Sequence, residues 1–278
     1  MDYRRSGPTT TVQHVLPTAQ SGLKSMHSIL RMATPVLLFV VALATRLISW
    51  HSVFQKGGVT PHGNDAYYHL RRIRYSVEHF PDVLHFDPLM NFPDGAQAIW
   101  SPTFDWLVAA LLRGLPGIDQ PDRLEIEAML IPPILGAITV VLVYFLALRF
   151  FSRRVAVLSA LSMAVLPAHS LYSRVGALDH HVLVALVVAI MLALAMSLFS
   201  KNPGELARPH KPVDSARLGL SAALGASIGA AVLVWPGTLL QVGVLQLGFV
   251  VRLLTSPNVE EAKGWSLRFC VVHLVAGL

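Results

Sequence analysis

Long runs without charged residues alternate with short polar connections along most of the chain. Such runs cover residues 128–148, 155–173, 182–200 and 218–251. Because about 20 residues of α-helix span a bilayer core, the first three predict one membrane-spanning helix each. The fourth is too long for one helix, and Pro236-Gly237 predicts a break that gives spans at 218–235 and 238–254.

The two ends of the chain differ from this pattern. Residues 1–28 are polar and predict a flexible cytoplasmic tail, and residues 29–50 predict a first span with Arg46 near its end. A long side chain at that place can extend to the membrane surface. Residues 269–278 begin a further span that stops too early to cross, so we expect the chain to be cut within a helix.

Residues 51–127 form a long loop that contains most of the acidic residues. Within it, residues 101–115 are apolar on balance, but the stretch is short and includes Asp105 and Arg113. A stretch of this length predicts a helix lying in the membrane interface.

Composition agrees with a membrane protein. The chain is 54% hydrophobic and 14% charged, with a mean hydropathy of +0.56, whereas soluble domains have about 25% charged residues. These values predict an all-α polytopic integral membrane protein. The net charge of +6 is interpreted as an orientation signal, and nucleic acid is not expected as a partner. The single cysteine, Cys270, excludes an internal disulfide.

Lys and Arg in the short connections predict the orientation of the chain. They concentrate in the tail, at residues 149–154, at 201–217 and at 252–268. All four segments fall on one side if residues 101–115 do not span, which places the N-terminus in the cytoplasm and the loop 51–127 outside.

Asp179 is the only acidic residue between Glu127 and Glu205, and it lies between two apolar runs. Its neighbours His180 and His181 are potential metal ligands. A helix N-cap would explain the aspartate, but it would not explain two adjacent histidines. Ionisable residues between membrane spans indicate a functional site.

A second motif, HGNDAYYHLRRIRY, runs from His62 to Tyr75 on the same predicted side. Asp65 opens a predicted helix with a basic face that includes Arg71 and Arg72. By itself the motif is equally consistent with a capped amphipathic helix at the membrane surface. Together, the two motifs predict a divalent cation site in which oxygen and imidazole ligands favour Mn²⁺ and still admit Mg²⁺ or Zn²⁺. The ion would neutralise a diphosphate.

These residues resemble the oligosaccharyltransferase catalytic subunits of the archaeal and bacterial single-subunit type. NDAYYHLRR resembles the first aspartate motif of that family, and SRVGALDHH resembles the second. The resemblance implies a C-type glycosyltransferase (GT-C) transmembrane bundle with a long first external loop. It also implies a multi-pass enzyme of the cell membrane with its active site on the extracytoplasmic face.

The implied reaction moves an oligosaccharide from a polyprenyl-diphosphate carrier to the asparagine of an N-x-S/T sequon. By resemblance, Asp65 is the catalytic residue and a metal ligand, and Asp179 and His181 complete the ligand set for Mn²⁺ or Mg²⁺. His180, Arg174, Arg71 and Arg72 are expected to support the site or to bind substrate.

Two family features do not occur in this sequence: a later external loop with a catalytic glutamate, and a WWDYG motif that reads the sequon. We therefore expect a missing C-terminal half and little or no activity of the chain alone. Three alternatives stay open: a GT-C enzyme that uses a polyprenyl-phosphate sugar, a metal-ion transporter, and an inactive membrane scaffold.

Overall fold

The structure is a computed structural model that describes residues 33–200 and 215–277. The chain divides into a short unit, Met1–Leu37, and a large unit, Leu38–Leu278. The predicted flexible tail lies outside the described residues, as does most of the predicted basic connection at 201–217. Every site residue discussed below belongs to the large unit.

The described residues are mostly helical. The first half contains helices α1 (Ala33–Arg46), α2 (Trp50–Val53), α3 (Asn64–Glu78), α4 (Thr103–Leu112) and α5 (Pro121–Phe150). The second half contains α6 (Arg153–Val165), α7 (Pro167–Tyr172), α8 (His181–Phe199), α9 (Ser215–Val234), the short 3₁₀ helix η1 (Pro236–Thr238), α10 (Leu239–Leu254) and α11 (Val259–Ala276).

Two small antiparallel ladders lie in the long loop. Strand β1 (Phe54–Gln55) pairs with β2 (Gly58–Val59), with Phe54 opposite Val59. Strand β3 (Phe86–Asp87) pairs with β4 (Ala96–Gln97), with Phe86 opposite Gln97. In the sequence, β1–β2 precedes α3, and β3–β4 lies between α3 and α4.

Four described helices are long and apolar enough to cross a membrane: α5, α8, α9, and η1 together with α10. The predicted helical membrane character is therefore present, with the two short ladders as the strand content of the described residues. The predicted break at Pro236-Gly237 coincides with η1. How many times the chain crosses, and the side on which each connection lies, stay predictions.

The predicted first span at 29–50 is described from residue 33, where α1 begins, and α1 ends at Arg46. The expectation that the Arg46 side chain extends to the membrane surface is wrong, because the side chain is buried and its Nε donates to Ser173 Oγ at 2.8 Å.

Two further predicted spans take a different form in the structure. The apolar run at 155–173 forms α6 and α7, which are separated at Leu166. Proline provides no backbone N–H to continue the α6 hydrogen-bond ladder, so Pro167 starts a new helix. Helix α11 begins at Val259, ten residues before the predicted start at 269, because Asn258 caps its first turn by accepting a hydrogen bond from the Glu261 amide.

Three apolar clusters hold the described helices together. One joins α3, α4, the start of α5 and the segment before α8. A second packs α8, α9, α10 and α11, with Trp265 fully buried among them. A third packs α1 against α5 and α6. The first cluster positions the candidate site, because α3, α4 and the α7–α8 turn all contribute to it.

Candidate functional site

The turn between α7 and α8 docks onto the loop that precedes α3. The amide of His62 donates to the carbonyl of Gly176 at 2.8 Å. Gly176 has a φ of +87°, and a side chain at that position would overlap Val53 and His62. Glycine is therefore needed here both for the left-handed backbone and for the close approach. This contact brings the two sequence motifs together.

Asp179 lies at the end of this turn and is 6% exposed. Its Oδ1 accepts from His180 Nδ1 at 2.8 Å and lies 2.9 Å from His181 Nδ1. Burial alone would raise the pKa of the Asp179 carboxyl, but the hydrogen bonds from both histidines outweigh it and hold the pKa well below its usual range. Asp179 is therefore an ionised carboxylate.

Asp65 and Asp179 line the same cavity. It has a volume of about 290 Å³ and lies between the loop before α3, the first turn of α3 and the α7–α8 segment, where it is lined by His62, Gly63, Asn64, Asp65, Ala66, Leu171, Tyr172, Arg174, Ala177 and Asp179. Asp65 is exposed in the first turn of α3. Burial and the charge of Arg174 lower the pKa of His62, so Arg174 provides the positive charge of the cavity at neutral pH.

Two residues that the sequence analysis did not select lie on the buried side of Asp179, away from the cavity. His69 and Asp105 are both 0% exposed. His69 Nδ1 lies 2.7 Å from Asp105 Oδ1, and His69 Nε2 lies 3.2 Å from His180 Nδ1 and 3.7 Å from Asp179 Oδ1. The signal for His69 was available, because it follows Asp65 by four residues and so shares its helix face.

Within the described residues, one group of side chains can bring three potential ligand atoms together: His69, Asp179 and His180, whose atoms lie within 4.8 Å of one another. His180 Nε2 is buried and has no hydrogen-bond partner there. A buried polar atom without a partner is costly, and a cation would satisfy it. Carboxylate and imidazole ligands therefore fit a divalent ion such as Mn²⁺ or Zn²⁺.

The other predicted site residues are distributed around this centre. His181 starts α8, and its ring stacks on Tyr172 at a centroid distance of 5.0 Å. Arg174 lines the cavity, and its Nε is buried without a hydrogen-bond partner among the described residues.

Arg71 and Arg72 instead make ion pairs outside the cavity lining. Arg71 Nε lies 2.9 Å from Asp87 Oδ2. Arg72 is buried, with Nη1 at 2.9 Å from Asp105 Oδ2. Their predicted contact with substrate therefore has no support from the cavity geometry.

A family model described as "Oligosaccharyl transferase STT3, N-terminal" matches residues 30–276. The chain belongs to this family. An oligosaccharyltransferase was the resemblance that the two aspartate motifs indicated, and that identification is confirmed.

Curated relatives of this STT3-family chain are archaeal glycotransferases. It is 33% identical to the dolichyl-monophosphooligosaccharide–protein glycotransferase AglB of Haloferax volcanii over 233 residues. The aligned region covers 79% of this chain and 22% of AglB. It is 35% identical over 154 residues to dolichyl-phosphooligosaccharide-protein glycotransferase 1 of Archaeoglobus fulgidus, which covers 54% and 24%. The chain thus spans about a quarter of the length of these relatives.

Solved structures share the fold. The crystal structure of the Archaeoglobus fulgidus oligosaccharyltransferase in complex with Zn and sulfate has a TM-score of 0.73 and 24% identity, over 87% of this chain and 30% of that chain. The apo form has a TM-score of 0.74 over 88% and 28%. The predicted GT-C membrane fold is confirmed.

Aromatic rings of this STT3-family chain surround the two histidines that follow Asp179. Trp100 lies 5.8 Å from the His180 ring and Trp235 lies 5.8 Å from the His181 ring, between centroids. Sequence reasoning missed both tryptophans. Neither belongs to the two motifs, and only the tertiary structure brings the α3–α4 loop and the end of α9 to this site.

Proposed function

We propose that this chain acts in protein N-glycosylation, where a glycan passes from a phosphate-linked polyprenyl carrier to an acceptor asparagine. The observation that supports it best is the shared cavity of Asp65 and Asp179, which come from two segments far apart in sequence. Membership of the STT3 family and an archaeal AglB relative at 33% identity point to the same chemistry.

Asp65 is the residue that we assign to the acceptor. In the transfer, the amide nitrogen of asparagine forms a bond to the anomeric carbon while the bond from that carbon to the carrier phosphate breaks. The phosphate leaves with its carrier, and the proton that the nitrogen loses passes to water. An amide nitrogen is a poor nucleophile because its lone pair is delocalised into the carbonyl. A carboxylate that accepts the amide N–H can hold it out of conjugation, and the position of exposed Asp65 in the cavity lining supports this assignment.

Asp65, Asp179 and His181 are the residues that we assign to a divalent cation, Mn²⁺ or Mg²⁺. When bound, such an ion neutralises and orients the phosphate leaving group. Asp179 fits this role because it is ionised and nearly buried. His180 supports Asp179 by donating to Oδ1, and Arg174 offers an unpartnered Nε to a phosphate.

The carrier is proposed as a polyprenyl phosphate of the dolichyl class. The sequence resemblance implies a diphosphate, whereas the curated relatives are named for dolichyl-monophospho and dolichyl-phospho carriers. A related structure is described in complex with an inhibitory peptide and a dolichol-phosphate. Another is tethered to an acceptor peptide with an NVT sequon, so we propose an N-x-S/T acceptor and a C-terminal half that completes the site.

The orientation is part of this proposal. The N-terminus is cytoplasmic and the cavity faces the extracytoplasmic side of the cell membrane, where the long loop 51–127 lies. The support is the distribution of Lys and Arg over the short connections.

The experiment changes single codons in the gene at its own locus and measures sequon occupancy of a secreted reporter by mass spectrometry. Asp65→Asn and Asp179→Asn are each expected to abolish occupancy, because each removes a negative charge from the cavity. The matched control is Asp119→Asn, at an exposed acidic residue of the loop that contains Asp65, and it should retain sequon occupancy. Wild-type occupancy in either site variant would contradict the proposed function.

A further inference from the structure

A buried polar chain extends from Asp179 into α3 and α4, beyond the residues that the two motifs assign. Its members are His69, Asp105 and Arg72, which are 0%, 0% and 2% exposed. His69 Nδ1 lies 2.7 Å from Asp105 Oδ1, and Arg72 Nη1 lies 2.9 Å from Asp105 Oδ2. Burying three polar or charged side chains costs folding free energy unless each has a hydrogen-bond or ion-pair partner. A cluster of this kind therefore suggests a role at the site.

The arrangement fixes which ring nitrogen of His69 has the proton. Asp105 is paired with the permanently charged Arg72, whose Nη1 lies 2.9 Å from Oδ2, so the carboxyl acts as a hydrogen-bond acceptor. An ionised carboxylate can only accept, so the proton of the short contact belongs to His69 Nδ1. The other nitrogen, Nε2, then has a lone pair, which accepts a hydrogen bond from His180 Nδ1 at 3.2 Å and lies 3.7 Å from Asp179 Oδ1.

Arg72 also fixes Asp105 in place. Its Nη1 donates to the Trp100 carbonyl at 3.2 Å and to the Tyr68 hydroxyl at 3.1 Å, in addition to the ion pair. The Phe104 ring packs edge-on against the His69 ring at a centroid distance of 5.3 Å. The imidazole is therefore held in one orientation by groups on α3, on α4 and on the segment between them.

We propose that His69 is an additional metal ligand, through Nε2, and that Asp105 and Arg72 are its positioning residues. In metalloproteins a ligating histidine usually donates its other N–H to a carboxylate or carbonyl, which sets the tautomer and makes the ligand more basic. The His69–Asp105 contact has that form. The His69 Nε2 atom lies 3.7 Å from Asp179 Oδ1, within reach of a cation bound to that carboxylate.

The proposal also bears on which metal the site prefers. His69 follows Asp65 by one helical turn on α3, so the two side chains project from the same face of the helix. A second imidazole beside His181 shifts the ligand set away from Mg²⁺, which prefers oxygen ligands, and towards Mn²⁺ or Zn²⁺. This inference rests on the proposed function only in that the site holds a cation.

The test uses the full 278-residue chain purified in nanodiscs, loaded with Mn²⁺ alone. Pulsed electron paramagnetic resonance detects ¹⁴N nuclei of imidazoles bound to Mn²⁺. We expect His69→Gln to reduce the ¹⁴N modulation depth and to weaken Mn²⁺ binding tenfold or more. The control, His79→Gln at an exposed position near the end of the same helix, should change neither quantity. An unchanged ¹⁴N modulation depth in His69→Gln would overturn the proposal.

The positioning role has its own variant. Asp105→Asn is isosteric and leaves His69 in place, so the ¹⁴N modulation should persist while the Mn²⁺ affinity falls about 10–100-fold, as for other changes behind a metal ligand. An affinity within twofold of wild type would overturn the proposal even if His69→Gln does not fold. If wild-type protein binds no Mn²⁺ or Zn²⁺, the metal site of the proposed function fails as well. If wild-type protein binds Mn²⁺ and His69→Gln leaves both the affinity and the ¹⁴N modulation depth unchanged, only the assignment of His69 as a ligand fails.

Discussion

At the scale of single residues, Asp105 and Asp179 are both buried acids beside His69, but their surroundings in the sequence differ. Asp179 could be found because it is the single acidic residue in a long apolar region. Asp105 could not, because it is one of several acids in the long loop at residues 51–127 and its partners Arg72 and His69 are known only from the fold. A carboxylate becomes recognisable as part of a site only when its partners are known, and those partners lie on another helix.

His181 provides the prediction at this scale. As an assigned metal ligand, His181→Gln should lower sequon occupancy of the reporter roughly tenfold or more, since a ligand contributes at least as much as the groups behind it. The matched control is His51→Gln, an exposed histidine at the start of the long loop of residues 51–127.

Occupancy equal to wild type in His181→Gln would remove His181 from the ligand set. The ion would then be held by Asp65, Asp179 and His69. Loss of occupancy in the His51→Gln control would instead show that the assay responds to general damage.

At the scale of helices, the apolar runs predicted where helices exist better than where they end. Helix α8 agrees with the predicted run within one residue at each end. Helix α5 begins at Pro121, seven residues before its apolar run, because a polar first turn can extend outside the apolar region. The run at 155–173 is divided because Pro167 has no backbone N–H to continue the hydrogen bonds of α6. A hydropathy pattern contains no information about this effect.

The packing of α9 against α11 yields a prediction. Gly225 approaches α11 so closely that an added methyl group would overlap the Val272 carbonyl, and Gly229 lies one turn further along. Small residues spaced four apart allow membrane helices to approach closely. We expect Gly225→Ala to destabilise the protein by about 1–3 kcal/mol, the usual cost of overpacking.

The measurement is the thermal unfolding midpoint in detergent. Gly219→Ala on the same helix is the control, since nothing lies within 4 Å of an added methyl group there. This change should leave the midpoint unchanged or raise it, because alanine favours helix over glycine. Equal midpoints for the two variants would contradict the close contact of α9 with α11.

At the scale of the whole molecule, composition predicted the membrane class and the two motifs predicted the family. The sequence did not predict how the α7–α8 turn meets the loop before α3. That contact depends on Gly176 and on a backbone hydrogen bond to His62, and neither has a periodic pattern. The resemblance therefore predicted a shared site, but the residues that line the cavity could be identified only from the structure.

Orientation across the membrane is tested with single cysteines in a Cys270→Ser background, which removes the native thiol. Asp119→Cys lies in the long loop and should react with a membrane-impermeant maleimide in intact cells. Thr255→Cys lies between α10 and α11 and should react only after the cells are permeabilised. The reverse pattern would place the cavity in the cytoplasm and contradict the orientation.

The central claim is that Asp65 and Asp179 hold one cation together. It is tested most directly by titrating Mn²⁺ into the purified chain and into the Asp65→Asn, Asp179→Asn and double variants. We predict one ion per wild-type chain, a loss of affinity of tenfold or more in each single variant, and no further loss of comparable size in the double variant, since both residues serve the same ion. Wild-type affinity in Asp65→Asn would contradict the claim.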